Sequence, residues 1–204
     1  MGATAATLSL PAVAALEPAS RAAGDDAALV ERARAGDADA FRVLVERHRD
    51  RAVGLALRIT RSRADAEDAA QDAFVRAWRA LPAFRGESAF GTWLHRIVAR
   101  RALDRAGSAR VRRGREDELP DADDLPAAEP AIPGDPLLAR RLNTLMGELS
   151  APQRAALTLY YLEDRAVEHV ATALGMPENT VKTHLSRARA ALREAWVREG
   201  GERP

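Results

Sequence analysis

The chain has 204 residues and balances 31 Lys and Arg against 30 Asp and Glu, so its total charge does not advertise a nucleic-acid or membrane-surface binder. It contains no cysteine, which excludes disulfides and thiolate metal sites and fits a reducing cytoplasm. Aromatic residues make up only 4% of the chain and alanine is abundant, a composition that favours helices over sheets.

The charge is unevenly spread. From Asp25 to Arg115 basic residues outnumber acidic ones, whereas every charged residue from Glu116 to Asp135 is acidic. Such asymmetry implies segments with different partners. At the start, Leu8 to Leu16 is mildly apolar, but no Lys or Arg precedes it, as a signal peptide requires. No stretch reaches the roughly 20 apolar residues of a membrane span. Residues 1–25 read as a disordered tail, and the expectation is a cytoplasmic protein without membrane insertion.

No sustained period-2 alternation marks a strand. A first helical piece covers about Asp26 to Ala35 and closes at Gly36. Asp37 or Asp39 then caps a long helix with Phe41, Leu44, Val45, Ala52, Leu55, Ala56 and Ile59 on one face. Ser62 caps a third helix, with Ala66, Ala69, Ala70, Ala73, Phe74, Ala77 and Trp78 inward, and Leu81-Pro82 breaks it. A loop from Ala83 to Glu87 leads to Ser88, the expected cap of a fourth helix through Trp93, Leu94, Ile97, Val98 and Leu103.

The stretch from Gly107 to Asp135 holds Arg110 to Arg115, the acidic run and four prolines. It has too little apolar content to bury and reads as a flexible linker. Beyond it, Leu137, Leu138, Leu142, Leu145 and Met146 form one face, and Ser150 with Gln153 makes a capping box. A short helical pattern (Val167, Val170, Ala171, Leu174) then runs into Gly175, Met176 and Pro177. A longer one follows (Val181, Leu185, Ala188, Leu192), carrying Lys182, His184, Arg187 and Arg189. Gly ends a helix in the left-handed conformation and Pro is tolerated in the first turn of the next. Two helices meeting at a tight turn, the second able to reach DNA, describe a helix-turn-helix and name duplex DNA as partner. The expected fold is all-α: two small helical domains, 26–106 and 136–204, joined by a flexible acidic linker, 107–135.

Several segments, in order, resemble the extracytoplasmic-function (ECF) class of bacterial sigma factors, the promoter-reading subunits of RNA polymerase. The first is Asp65 to Trp78, DAEDAAQDAFVRAW. The second is Phe84-Arg85-Gly86 through Phe90, then Thr92 to Ile97 and Ala102-Leu103-Asp104. The third comprises Leu149, Pro152-Gln153-Arg154, Leu157, Leu159 to Leu162, Leu174 to Pro177, Thr180-Val181-Lys182 and Leu185 to Arg189. Arg100 stands where the family usually carries Asn, and Asn179 where it usually carries Gly.

The resemblance implies a role for each segment. In the family, the helix matching Asp65–Trp78 docks on the clamp coiled coil of the polymerase's largest subunit, which singles out Asp68, Gln71, Asp72 and Arg76. Phe84 to Phe90 matches the loop that captures an unstacked base of the −10 element. Unstacking costs a few kcal/mol, so such a loop needs apolar walls and polar atoms. Phe84, Arg85, Trp93, Arg96, Arg100 and Arg101 are the −10 candidates, the arginines chiefly as phosphate contacts. Phe84, Phe90 and Trp93 also suit ordinary core packing, Phe90 and Trp93 more so because they lie in or beside an amphipathic helix. Glu178 to Leu192 matches a recognition helix entering the major groove of the −35 element, with Thr180, Lys182, Thr183, His184 and Arg187 as candidates. The same domain implies contact with the flap of the second-largest subunit.

Elements centred about 25 base pairs apart lie roughly 85 Å apart at ~3.4 Å per step, and Gly107 to Asp135 fully stretched spans about 95 Å. The linker's acidity suits passage through the polymerase's basic RNA channel, and equally a solubilising spacer. The family also implies an anti-sigma protein that restrains the chain until a stress signal. No metal or cofactor is expected: a carboxylate-bridged bundle wants Glu-x-x-His pairs, and none occurs among the four histidines. A stand-alone helix-turn-helix regulator would explain Val167–Leu192 but leave the first two segments idle.

Overall fold

The computed structural model describes residues 19–113 and 136–198, and every regular element among them is helical. The expected disordered tail, apart from its last residues, and the acidic run of the linker lie outside the described residues. The first body comprises α1 (Ala19–Arg34), α2 (Ala38–Thr60), α3 (Arg63–Ala80) and α4 (Phe90–Arg113). The second comprises α5 (Pro136–Gly147), α6 (Ala151–Leu157), α7 (Val167–Leu174) and α8 (Glu178–Arg198).

Local chemistry sets most of the boundaries. Asp37, not Asp39, caps α2: its carboxylate accepts from the Ala40 N–H at 3.0 Å. That bond and the Arg32 guanidinium hold the Asp37 carboxyl below its ordinary range. Arg61 ends α2 in the left-handed region, at φ 59°, and its N–H reaches the Leu57 carbonyl. Ser62 caps α3 as expected, accepting from the Asp65 N–H at 3.2 Å. Gln153 Oε1 accepts from both the backbone N–H and the hydroxyl of Ser150 at 2.8 Å, closing the foot of α6.

Three boundaries differ from expectation. The first helix starts at Ala19 rather than near Asp26. Asp26 lies mid-helix and is buried, because it binds His48 Nε2 at 2.7 Å and Arg47 Nη1 at 3.1 Å. Ser88 does not cap α4, which begins two residues later at Phe90. Finally, α4 continues through Gly107 to Arg113, into the expected linker, where Ala109 still finds a buried site. Seven helical residues advance about 10 Å at ~1.5 Å each, not the roughly 24 Å of extended chain.

Helices α2, α3 and α4 pack around Leu44, Leu55, Ile59, Phe74, Leu94 and Val98. The alanines of α3 (Ala66, Ala69, Ala70, Ala73, Ala77) are buried against its neighbours and allow close helix approach. In the second body Leu157, Leu159, Val170, Val181 and Leu185 do the same work. After α6 the chain makes one wider π turn, Thr158–Leu162, which turns Leu159 inward and Tyr161 outward. The two bodies are not held apart. α4 packs against α6 and α7, and α2 against α6, so that one apolar cluster runs through both.

Candidate nucleic-acid interface

The helix-turn-helix forms as the pattern implies. α7 ends at Gly175 in the left-handed region, φ 66°, with its N–H bonded to the Ala171 carbonyl. A non-glycine residue is strained there. Pro177 then opens α8, its carbonyl accepting from the Thr180 and Val181 N–H groups. Val181, Leu185 and Ala188 are buried, which fixes the rotation of α8 and turns the alternate positions outward. Thr180, Lys182, Thr183 and Arg187 are exposed and His184 is half-buried. Lys182 lies 3.6 Å from Glu178, one turn back, and the Thr183 hydroxyl donates to the Asn179 carbonyl at 2.8 Å. Both are exposed local contacts, weak enough to exchange for a ligand.

In the first body the aromatic candidates cluster. The Phe84 ring lies 4.9 Å from Trp93 and 6.5 Å from Phe90, and Phe90 lies 5.8 Å from Trp93. Phe84, expected among the DNA-facing residues, is instead 8% exposed and faces the core. Burying a ring against two others gains more than leaving it in water. Trp93 is half-buried on the same cluster. The loop above them, with Arg85 exposed and Gly86 at φ 73°, is open to solvent.

The arginines of α4 differ in their commitments. Arg101 reaches Asp104 of its own helix at 2.7 Å and Asp72 of α3 at 3.9 Å. Arg96 is half-buried at a small pocket beside Thr92, His169 and Ala173. Arg100 is exposed, yet donates from Nε to the Ala173 carbonyl and from Nη2 to the Thr172 carbonyl, each at 3.0 Å.

The α3 candidates form one outward row. Asp68 meets Arg105 at 3.0 Å, and Asp72 meets Arg76 at 3.0 Å, while Gln71 is exposed. Beside this row, α2 and α3 leave an apolar groove of about 600 Å³ lined by Phe41, Val45, Gln71, Val75 and Trp78. Val75 is exposed there. An open apolar groove with a polar rim is the ordinary form of a protein-docking surface.

A further set of polar residues, absent from the expected sites, joins the two bodies. Arg154 of α6 is buried and donates to the Ile59 carbonyl, from Nε at 3.0 Å and Nη2 at 2.7 Å, and also to the Leu149 carbonyl. Arg61 donates to the Asn143 carbonyl at 2.7 Å, and Arg165 to the Thr92 hydroxyl at 2.9 Å. His95 Nδ1 and a Glu163 carboxylate oxygen lie 2.9 Å apart. Burial pushes the Glu163 carboxyl up, but His95, Arg51 and Arg58 together hold it below its ordinary value. Nothing in the periodicity signals the pairs between the bodies, because each of those links positions more than 60 residues apart.

Comparison with known proteins accounts for both bodies. The family model for Sigma-70 region 2 matches residues 44–113, and that for Sigma-70, region 4 matches residues 139–192. The RNA polymerase sigma-H factor of Pseudomonas aeruginosa is 37% identical, over 83% of this chain and 93% of its own length. The ECF RNA polymerase sigma-E factor of Escherichia coli K12 is 35% identical, over 82% of this chain and 92% of its own. Among solved structures, the sigma factor RpoE bound to the anti-sigma factor NepR from Bartonella quintana superposes with a TM-score of 0.58 at 27% identity. That alignment covers 76% of this chain and 95% of that one. CnrH bound to the cytosolic domain of CnrY gives a TM-score of 0.55 at 26% identity, over 82% and 94%. With an α2–α4 body and a helix-turn-helix that both match in order, the chain belongs to the ECF class of RNA polymerase sigma factors of the sigma-70 family.

Proposed function

We propose that this chain rides on core RNA polymerase and reads a promoter at two separate elements. The exposed early residues of α8 (Thr180, Lys182, Thr183 and Arg187, with His184 beside them) enter the major groove of the −35 element. Lys and Arg suit guanine edges or phosphate, and Thr suits either. The single observation that carries this reading is the orientation of α8: buried Val181, Leu185 and Ala188 leave a continuous basic and hydroxyl row outward, after a glycine-ended turn.

The loop from Phe84 to Ala89 and the arginines Arg85, Arg96 and Arg100 engage the −10 element. Phe84, Phe90 and Trp93 supply the apolar floor beneath it rather than free stacking platforms. Asp68, Gln71, Asp72 and Arg76, with the apolar groove at their side, meet the clamp of the polymerase's largest subunit, and the second body meets the flap of the second-largest. An anti-sigma protein restrains the chain until a stress or envelope signal; the complexes named for RpoE with NepR and for CnrH with CnrY support a partner of this kind.

The reading is tested by sizing chromatography of the purified chain with core polymerase, followed by binding of promoter duplex to the pooled complex. Co-elution and sequence-dependent duplex binding are expected. A chain that binds duplex alone but never co-elutes would be a free-standing regulator.

A further inference from the structure

We infer that His48, held in place by Asp26, is a positioning residue for −10 recognition: it fixes where the loop from Phe84 to Ala89 joins α4. This rests on the reading of that loop as the part of the chain that engages the −10 element.

The start of α4 lacks a local anchor. The Trp93 N–H donates to the Ala89 carbonyl at 3.1 Å, which puts Ala89 at the capping position, and alanine offers no side-chain acceptor there. Packing, rather than capping, then decides where the loop ends and the helix begins. Phe90, the first residue of α4, is buried. Its ring lies 5.3 Å from the His48 imidazole at an interplanar angle of 66°, an edge-to-face arrangement. The same Phe90 ring meets Phe84 and Trp93, the floor of the loop. His48 is the fourth ring of that floor, supplied by α2.

The imidazole is held from behind. His48 Nε2 donates to Asp26 Oδ2 at 2.7 Å; a carboxylate only accepts, so this nitrogen carries the hydrogen. The other Asp26 oxygen accepts from Arg47 Nη1 at 3.1 Å. Both Asp26 and His48 are buried, so α1 sets the rotation of the ring. The opposite edge is set by packing. Nδ1 is buried with no hydrogen-bond partner among the described residues, and it faces Gly91. A Cβ at position 91 would come within 3.1 Å of His48 Cε1 and 3.4 Å of Nδ1. Imidazole and glycine are thus a matched pair that lets the head of α4 settle on α2. A line of contacts runs from Asp26 through His48 and Phe90 to Phe84 beneath the loop. Capturing a base that must first unstack is costly, and a loop that also had to be ordered on binding would add to that cost. A floor fixed in advance removes the second part.

The experiment uses holoenzyme assembled from core polymerase and the full-length chain, with two fluorescent single-stranded oligonucleotides. One carries the −10 sequence selected by wild-type holoenzyme, and the other has its most discriminated base replaced. Anisotropy gives the ratio of the two affinities. His48→Gln keeps an amide donor for Asp26 but has no ring, and should lower the ratio by roughly tenfold, within what one read base supplies. Gly91→Ala crowds the ring and should lower the ratio by roughly threefold or more, while its melting temperature holds or rises because alanine favours a helix. Asp26→Asn keeps an acceptor for Nε2, and should melt lower yet keep the ratio within about twofold of wild type. Association with core polymerase and −35 duplex binding should be unchanged in all three.

A ratio that simply follows the melting temperatures would make His48 an ordinary core residue and overturn the inference. So would an unchanged ratio in His48→Gln and Gly91→Ala while a loop variant carrying Arg85→Ala, Glu87→Ala and Ser88→Ala loses it, an outcome that leaves the promoter reading intact. A loop variant that discriminates as wild type does would overturn both. Should His48→Gln fail to fold, Gly91→Ala carries the test, since it removes no contact.

Discussion

Arg154 donates twice to the backbone carbonyl of Ile59, at 3.0 and 2.7 Å, from a position only 8% exposed. The acceptor lies in the last turn of α2, where carbonyls lack a helical partner. A side chain of one body thus completes a helix of the other, and supplies the Leu149 carbonyl of its own body as well. Charged hydrogen bonds of this kind contribute about 1.5–3 kcal/mol each, and a buried acceptor left without one costs a similar amount. Arg154→Ala should therefore lower unfolding stability in urea by about 3 kcal/mol. Arg154→Lys, which cannot fork, should recover only part of it. A change within experimental error would show that the contact is incidental.

The seam should also respond to acid. The Glu163 carboxyl is held below its ordinary value in the folded chain, so its contribution is fully present above the unfolded carboxylate pKa of about 4.3. It is lost as pH falls from there through the lowered folded value. Stability measured in urea should be level in this respect from pH 7 to 5 and then decline. Glu163→Gln should be less stable at neutral pH, and its difference from wild type should shrink as pH drops below the carboxylate range. A difference independent of pH would contradict the assignment.

On α8, Lys182→Ala and Arg187→Ala should each weaken −35 duplex binding by about 1–3 kcal/mol where the side chain reads a base edge. If it meets phosphate instead, the loss should be uniform across sequences and the salt slope should fall by about 1. Fluorescence anisotropy of the holoenzyme over a salt series distinguishes the two. No effect from either would remove α8 from the groove.

On α3, Val75→Asp places a charge in the apolar groove, and Gln71→Ala removes an exposed rim amide. Each should weaken association with core polymerase by roughly tenfold or more, about 1.4 kcal/mol, with helix content and −35 duplex binding unchanged. Interferometry with immobilised core enzyme reads this directly. Undiminished association would move the docking surface elsewhere.

Much of this architecture is written in local pattern. The Ser62 cap, the Gly175 turn and the spacing of Val181, Leu185 and Ala188 each depend on neighbours within a few residues, so a linear reading finds them. The start of α1 was not legible: Asp26, read as the approximate start of the first helical piece, lies mid-helix, and its partner His48, 22 positions away, is brought to 2.7 Å only by the fold. His48 and His95, scattered in sequence, prove to be buried structural residues. The seam was least legible. Arg100 read as a DNA contact and Arg154 as one residue of a motif, and only the folded chain shows that their acceptors are carbonyls at the ends of α2 and α7. A backbone carbonyl carries no residue-type signal, so no motif announces that pairing. Phe84 misled for a related reason: an aromatic beside a DNA loop has the same sequence signature whether its ring stacks or packs.

The most direct measurement is run-off transcription from genomic fragments by core polymerase with and without the purified chain. Discrete transcripts should begin downstream of paired −35 and −10 elements only when the chain is present, and vanish with Lys182→Ala and Arg187→Ala combined. Transcripts identical to those of core enzyme alone would contradict the account.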